Sequence, residues 1–332
     1  MSQRTAAGVS VVTTTESTAA RRVRIARCTD LSLTGRYCVT DGSSRLSGRI
    51  LVVAFEGWND AGEAATGVVK TLREALGVLP IAEFDAERYS DYQFNRPVVM
   101  TGEDGNRILV WPTVTVYGPE ASPDSAAASD STAPEIYLLL GTEPARSWKR
   151  FTAELMEVIR DREIDFIVML GAMLADVPHT RPISVFVSSE NAGLRTLLDV
   201  ERSSYEGPVG ILSVIGTEAE AAGIPTVSIW ASVPHYVHNA PSPKATLAMI
   251  ERLEELVEVE VPRGDLADES VAWEDGINAL AEDDSDMANY IEQLERARDT
   301  VDSPEASGDA IAEEFERYLR KRDGRADGRD RA

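Results

Sequence analysis

Hydrophobic and polar positions change rhythm several times along the chain. Leu51-Val52-Val53-Ala54-Phe55 is an unbroken apolar run, the pattern of a short strand covered on both faces. Ala61, Ala65, Val68, Leu72 and Leu76 then recur at helical spacing. Asp60 stands at the N-cap of that helix, Glu63 follows as its capping-box partner, and Gly77 supplies the left-handed stop. Val78 to Phe84 reads as the next strand, so the body opens as a βαβ unit, which favours a parallel sheet with right-handed crossovers.

Farther on the rhythm alternates again. Pro97 to Met100 and Asn106 to Val116 flank Gly102-Glu103-Asp104-Gly105, a hairpin turn. Residues 118–134, made of Pro, Ser, Ala and Asp, read as a low-complexity surface loop. Strands are expected at Ile136–Leu140, Ile164–Leu170, Ile183–Val187, Val209–Ile215 and Pro225–Ala231. Helices are expected on the face Trp148, Phe151, Leu155, Ile159, over Ala192–Leu198, and after Ser242-Pro243. In that last helix Leu247, Ile250, Leu253 and Val257 point inward. Three further helical faces follow. They are Ala272, Trp273, Ile277, Leu280; Met287, Tyr290, Ile291, Leu294; and Ile311, Phe315, Tyr318, Leu319. Pro304 to Gly308 separates the last two.

The alternation of strands and helices gives an α/β class with a mostly parallel or mixed sheet. Four regions are expected: an unstructured arm over 1–47, a core domain over 48–262, an acidic helical region over 263–320, and a frayed tail over 321–332.

Charge narrows the function classes. The net charge of −23 opposes nucleic acid and anionic membrane surfaces, both of which are bound by clustered Lys and Arg. The small basic cluster Arg21, Arg22, Arg24 and Arg27 is too sparse for a nucleic-acid tail. From Asp265 to Glu316 there are 18 acidic residues against two arginines, Arg296 and Arg298. That segment reads as an appendage docked by its apolar stripe, with a solvated acidic face that could meet a basic partner. The apolar runs are far shorter than the ~18 residues a membrane span requires, and no apolar leader core is visible near the N-terminus. Two cysteines, Cys28 and Cys38, make no disulfide framework. A cytoplasmic protein is expected.

Catalytic motifs are lacking. The first βα turn, Glu56-Gly57-Trp58-Asn59-Asp60-Ala61-Gly62, has P-loop glycine spacing but continues Glu63-Ala64 where Lys and Ser or Thr are needed. Its carboxylates would repel a polyphosphate. No nucleophile elbow occurs. The three histidines, His179, His235 and His238, include an H-x-x-H pair to which Asp176 and His179 could add ligands. Hydrogen bonding to loop carbonyls is the plainer role for these rings, and no metal or cofactor is expected. If the strand ends share an edge, Gly57, Trp58, Asn59, Asp60, Gly171, Asp176, His179, Arg181, His235, Tyr236 and His238 line it.

The segment from Leu51 to Gly62, together with Gly171–Pro182, Trp230-Ala231-Ser232-Val233-Pro234-His235-Tyr236 and the tail Pro304–Asp309, resembles the actinobacterial branch of the type-two proteasome assembly chaperone (PAC2) family. The likeness spans about residues 48–320. It implies a three-layer α/β/α sandwich of phosphorylase/hydrolase type and a non-enzymatic protein-binding or assembly role. It also implies self-association, with a trimer as the expected form, and proteasome subunits as partners. Such chaperones can dock rings through a C-terminal hydrophobic-Tyr-any tail; this sequence ends Arg329-Asp330-Arg331-Ala332, so that device is not expected. Two enzymatic alternatives accompany the resemblance: an ATP-dependent carboxylate–amine ligase, for which only Lys70, Lys149 and Lys244 of the body could serve phosphates, and a cryptic hydrolase or phosphorylase at the His179/His235 edge.

Overall fold

In the computed structural model, which describes residues 37–40, 43–102, 104–119, 134–238, 240–257 and 259–302, the first elements are two short strands. They are β1 (Tyr37–Thr40) and β2 (Ser43–Leu46), paired antiparallel. Both fall inside the stretch read as an unstructured arm. Leu46 is buried in the core and bridges to Val257, so the core takes in a residue ahead of position 48. Cys38 lies on β1. Cys28, most of the loop 118–134, and the helical face Ile311–Leu319 lie outside the described residues.

The remaining elements alternate through the body. They are β3 (Arg49–Glu56), α1 (Ala64–Leu76), β4 (Leu79–Phe84), α2 (Ala86–Tyr89), β5 (Val98–Thr101), β6 (Arg107–Val110), β7 (Val114–Gly118) and β8 (Glu135–Thr142). After them come α3 (Trp148–Asp161), β9 (Phe166–Ala175), β10 (Val185–Ser188), α4 (Ala192–Leu198), α5 (Ile211–Ala221) and β11 (Thr226–Pro234). The last are α6 (Pro243–Leu256), α7 (Leu266–Asp283) and α8 (Ser285–Asp302).

Seven strands form one mixed sheet in the order β10-β11-β9-β3-β8-β7-β4. The central run from β11 to β8 is parallel; β10 and β7 pair antiparallel with their neighbours. Successive residues of β3 serve two cores. Ile50, Val52 and Ala54 pack with α1, α4 and α6, while Leu51, Val53 and Phe55 pack with α3 and α5. A strand with helices on both faces must be apolar at every position, which is why β3 reads as a continuous run. The result is a three-layer α/β/α sandwich.

Three expectations are corrected. The opening βαβ unit does not place neighbouring strands: β4 runs in the direction of β3 but lies at the far edge, antiparallel to β7, with β8 and β7 between. Its largely exposed face and Pro80, at a register shift, suit an edge strand. Val209–Ile215 is not a strand but enters α5. Ile211, Leu212, Ile215 and Ala219 are buried on one helical face, and a short β-branched run cannot distinguish the two periods. The stripe of α7 is turned: Ser270, Ile277 and Ala281 are buried, Trp273 half-buried, and Leu280 is exposed. The helix at Ser242-Pro243 forms as expected, with the Ser242 hydroxyl accepting from Ala245 N–H. The Gly102–Gly105 turn also closes its hairpin, between β5 and β6 alone; Trp111–Thr113 then lead into β7 of the main sheet. No helix among the described residues is long and apolar enough to cross a membrane.

Candidate functional site

β3, β9 and β11 run parallel, so the loops that follow them open on one edge of the sheet. The strand-end rule therefore brings Gly57–Asp60, Asp176–Arg181 and His235–His238 to that edge. There they divide into two clusters.

The first surrounds the start of α1. Gly57, with φ +113°, turns the chain out of β3, and Trp58 projects into solvent. Asn59 and Asp60 are buried. The Asn59 carbonyl accepts from Ala172 N–H at 2.7 Å, extending the pairing of β3 with β9. Its side-chain amide donates to Glu143 Oε1 at 3.3 Å, and the same oxygen accepts from Ile211 N–H, the first of α5, at 2.8 Å. A one-turn 3-10 segment, Ala61–Glu63, precedes α1, so the expected capping box is replaced. Glu63 has φ +49° and its carboxylate faces Lys70 Nζ at 3.7 Å. Asp60 does the capping, accepting from Ala65 and Thr66 N–H at 2.8 and 3.1 Å and from the Thr66 hydroxyl. Burial pushes the Asp60 carboxyl above its ordinary pKa, and these three donors oppose the shift. Gly171 lies beneath the Trp230 ring, where a Cβ would clash. A phosphate at this turn would meet the carboxylates of Asp60, Glu56 and Glu63; Lys70 is already flanked by the latter two.

The second cluster is covered by the C-terminal helices. His179 is completely buried. The Tyr236 hydroxyl accepts from its backbone N–H at 2.8 Å and lies 2.9 Å from Nδ1, while Nε2 lies 3.0 Å from Asn278 Oδ1 on α7. One hydroxyl proton can go only to Nδ1, and the amide oxygen needs a donor. The network therefore assigns a neutral imidazole protonated on Nε2. Burial lowers the His179 pKa in agreement with that state, although the Asn278 bond opposes it, and burial pushes the Tyr236 phenol up to about 12. Lys244, at the start of α6, donates to the His179 carbonyl at 2.6 Å and pairs with Glu274 of α7. Arg181 forks onto Asp299 of α8 at 2.8 and 2.9 Å, with Glu295 at 3.4 Å, and Thr180 donates to Glu295. The Asp299 bond raises the Arg181 pKa and lowers that of Asp299.

Around this staple the rings of His235, Tyr236 and Tyr290 meet edge to face, at centroid distances of 5.5 to 6.1 Å. Asp176 Oδ1 accepts from the Tyr290 hydroxyl at 3.3 Å. It also lies 3.2 Å from His235 Nδ1, near enough to pair with a protonated ring but off the direction of a hydrogen bond. His238 stays outside the cluster, its Nδ1 on the His235 carbonyl at 2.8 Å, the loop-carbonyl role expected of such rings. Among the described residues no three His, Cys, Asp or Glu side chains converge as metal ligands.

Of the sequence-derived edge residues, Asp176, His179, Arg181, His235 and Tyr236 thus come together, while Gly57, Trp58, Asn59, Asp60 and Gly171 form a separate group. Of their partners, Lys244 is named by the sequence only as a possible phosphate cation and Trp273, whose ring meets His179 edge to face, and Tyr290 only as helix-stripe positions; Glu143, Glu274, Asn278, Glu295 and Asp299 are not singled out. The face Trp273, Glu274, Ile277, Asn278 and Ala281 has helical spacing. That mixture of polar and apolar positions was the available signal. Between α7, α8 and the His179–Thr180 loop there remains a shallow open groove lined by Asp275, Glu282, Glu292 and Glu295. It is acidic, and the one hydroxyl of its lining, that of Thr180, is bonded to Glu295, which also holds Arg181.

A family model described as the PAC2 family matches residues 54–281. No curated protein matches the chain. Among solved structures, a PAC2 family protein from Streptomyces avermitilis is 39% identical, with a TM-score of 0.64, covering 73% of this chain and 99% of its own. A proteasome-assembly chaperone homologue from Mycobacterium tuberculosis is 41% identical with a TM-score of 0.63 and the same coverage, 73% and 99%. An archaeal proteasome activator from Pyrococcus furiosus shares the fold at 12% identity and a TM-score of 0.54, covering 70% of this chain and 93% of its own. On the family model and on two relatives near 40% identity that align over almost their whole length, the chain belongs to the PAC2 family.

Proposed function

We propose that this protein is a non-enzymatic assembly module of the cytoplasm that works as a homo-oligomer, a trimer, and binds proteasome subunits during their assembly. The observation that carries this reading is the covered strand-end edge. An α/β enzyme keeps that edge open for substrate. Here His179 is fully buried and the loops around it are tied down by α7 and α8. What the histidine half of the edge presents to solvent is the outer surface of two acidic helices, suited to a basic protein surface, while Trp58 is exposed on the other half. The likeness to the mycobacterial proteasome-assembly chaperone homologue supports the choice of partner.

The test uses purified α and β proteasome subunits of an actinobacterium, mixed with the full chain and followed by native mass spectrometry. A complex with one subunit type, and faster appearance of full-size particles, is expected. A version ending at Pro262 should lose the complex if the acidic helices make the contact. No complex with either subunit, and unchanged assembly kinetics, would overturn the proteasome reading.

A further inference from the structure

The β5–β6 hairpin is apolar on both sides. Register places Val98 opposite Val110 and Met100 opposite Ile108 on one face, with Val99 opposite Leu109 on the other. All six side chains are exposed. A soluble hairpin normally keeps one face polar, and a two-stranded ribbon alone is marginal in water. Phe94 and Trp111 extend the exposed surface at its base. Eight neighbouring apolar residues thus stand open to solvent, the kind of surface that marks a protein contact.

A second uncovered apolar surface lies across the molecule. Phe186 of β10 pairs in register with Trp230, which stands beside Gly171, and Met173 follows on the same face of β9. Phe186 is 55% and Met173 41% exposed; α5 leaves this end of the sheet face open. The hairpin arises from the chain between β4 and β7, at one edge of the sheet, while β10 is the opposite edge. A chain that carries a protruding patch at one edge and a receiving patch at the other is built for head-to-tail contacts, which form a ring where the rotation between copies closes and a filament where it does not. With a net charge of −23, copies also meet most easily through neutral surfaces, and the hairpin strands carry one charged residue, Arg107.

We infer that the β5–β6 hairpin of one copy docks on the Phe186–Trp230–Met173 sheet face of the next, forming a heterologous junction repeated around a closed ring. This rests on the self-association proposed above and names its surface. Light scattering coupled to gel filtration reads the mass of the wild type and of Ile108→Glu, Leu109→Glu and Phe186→Glu, with circular dichroism confirming that each variant is folded. The wild type is expected at a multiple of the 36.1 kDa chain mass, and Phe186→Glu and the one hairpin variant whose face is docked at a single chain mass. Mixing that hairpin variant with Phe186→Glu leaves one intact junction per pair, so a one-to-one heterodimer is expected. In the wild type the hairpin amides exchange slowly with deuterium; in Phe186→Glu, altered across the sheet from them, they exchange at least tenfold faster. A monomeric wild type would overturn self-association itself. An oligomer that survives all three variants would overturn only the junction, and monomeric variants that do not pair on mixing would refute its head-to-tail form.

Discussion

Tyr236→Phe isolates the hydroxyl that ties the strand-end edge together. That oxygen accepts from the His179 backbone N–H at 2.8 Å and serves Nδ1 at 2.9 Å, and His179 has no exposed surface. Phenylalanine keeps the ring and its edge contacts with His179 and Tyr290. The substitution therefore strands one buried donor and one buried acceptor. A stranded buried polar group costs about 1–3 kcal/mol, so a loss of about 2 kcal/mol is the conservative expectation. With an m-value of about 3 kcal/mol/M, suited to a chain of this size, the urea midpoint falls by about 0.7 M. Asn278→Ala removes the acceptor of the opposite ring nitrogen. Because both act through one imidazole, the double variant should lose less than the sum of the singles, by at least about 0.5 kcal/mol. A midpoint shift below about 0.2 M for Tyr236→Phe, or strict additivity with Asn278→Ala, would refute the idea that His179 staples the edge to α7.

The same ring makes stability depend on pH. Burial holds the folded pKa of His179 below its ordinary 6.5, so the unfolded chain takes up the proton first as pH falls through that value. Stability then declines toward the folded pKa, by at most about 1.4 kcal/mol per pH unit, and urea midpoints from pH 7 to 5 should fall more steeply for wild type than for His179→Gln. Parallel curves would contradict the assignment of a neutral ring. Glu143→Ala removes the acceptor of Ile211 N–H and of the Asn59 amide, and should cost about 2 kcal/mol in urea melts; Glu143→Gln, which keeps an acceptor, should cost less than half of that. Gly141→Ala places a Cβ 2.2 Å from the Thr113 carbonyl oxygen, inside the β7–β8 pairing. Since backbone must move to admit it, a loss of about 3 kcal/mol or poor expression is expected, and a wild-type melting temperature would show that the two strands can separate without penalty.

What the sequence revealed follows from how local each signal is. β3, β8, β9 and β11 were legible because strands sandwiched between helix layers are apolar at most positions on both faces. The α4 and α6 helices were legible through spacing and, for α6, through Ser242-Pro243. Strand order was not. Nothing near Val78–Phe84 records that α1 carries the chain past two strands to a distant edge, because that choice is made by residues that meet only in three dimensions. The α5 helix was lost to a run whose β-branched residues satisfy both periods, and its cap, Glu143, is 68 residues away from Ile211. At the site, convergence of the loops could be inferred from strand direction, but their cover could not. The docking face of α7 uses Glu274 and Asn278, types that read as solvated helix surface, and they are half-buried because they reach Lys244 and His179.

The placement of these partners bears on chemistry as well as on packing. An α/β sheet offers anions a few places at its strand ends: the first βα turn, the bare N–H groups of a helix start, and any cation left unpaired beside them. Four such places among the described residues are taken by the chain's own carboxylates. Asp60 accepts the free N–H groups at the start of α1. Glu143 accepts the first N–H of α5. Glu274 and Asp299 neutralise Lys244 and Arg181, the cations of the histidine loop and its neighbour. A phosphate or carboxylate ligand would have to displace a tethered anion at every one of these positions, against a net charge of −23. The fold thus keeps the scaffold of an anion-binding sheet while its own acidic side chains fill it. Among the described residues it also leaves two apolar surfaces open, the hairpin and the Phe186 face, and apolar patches of that kind mark protein contacts.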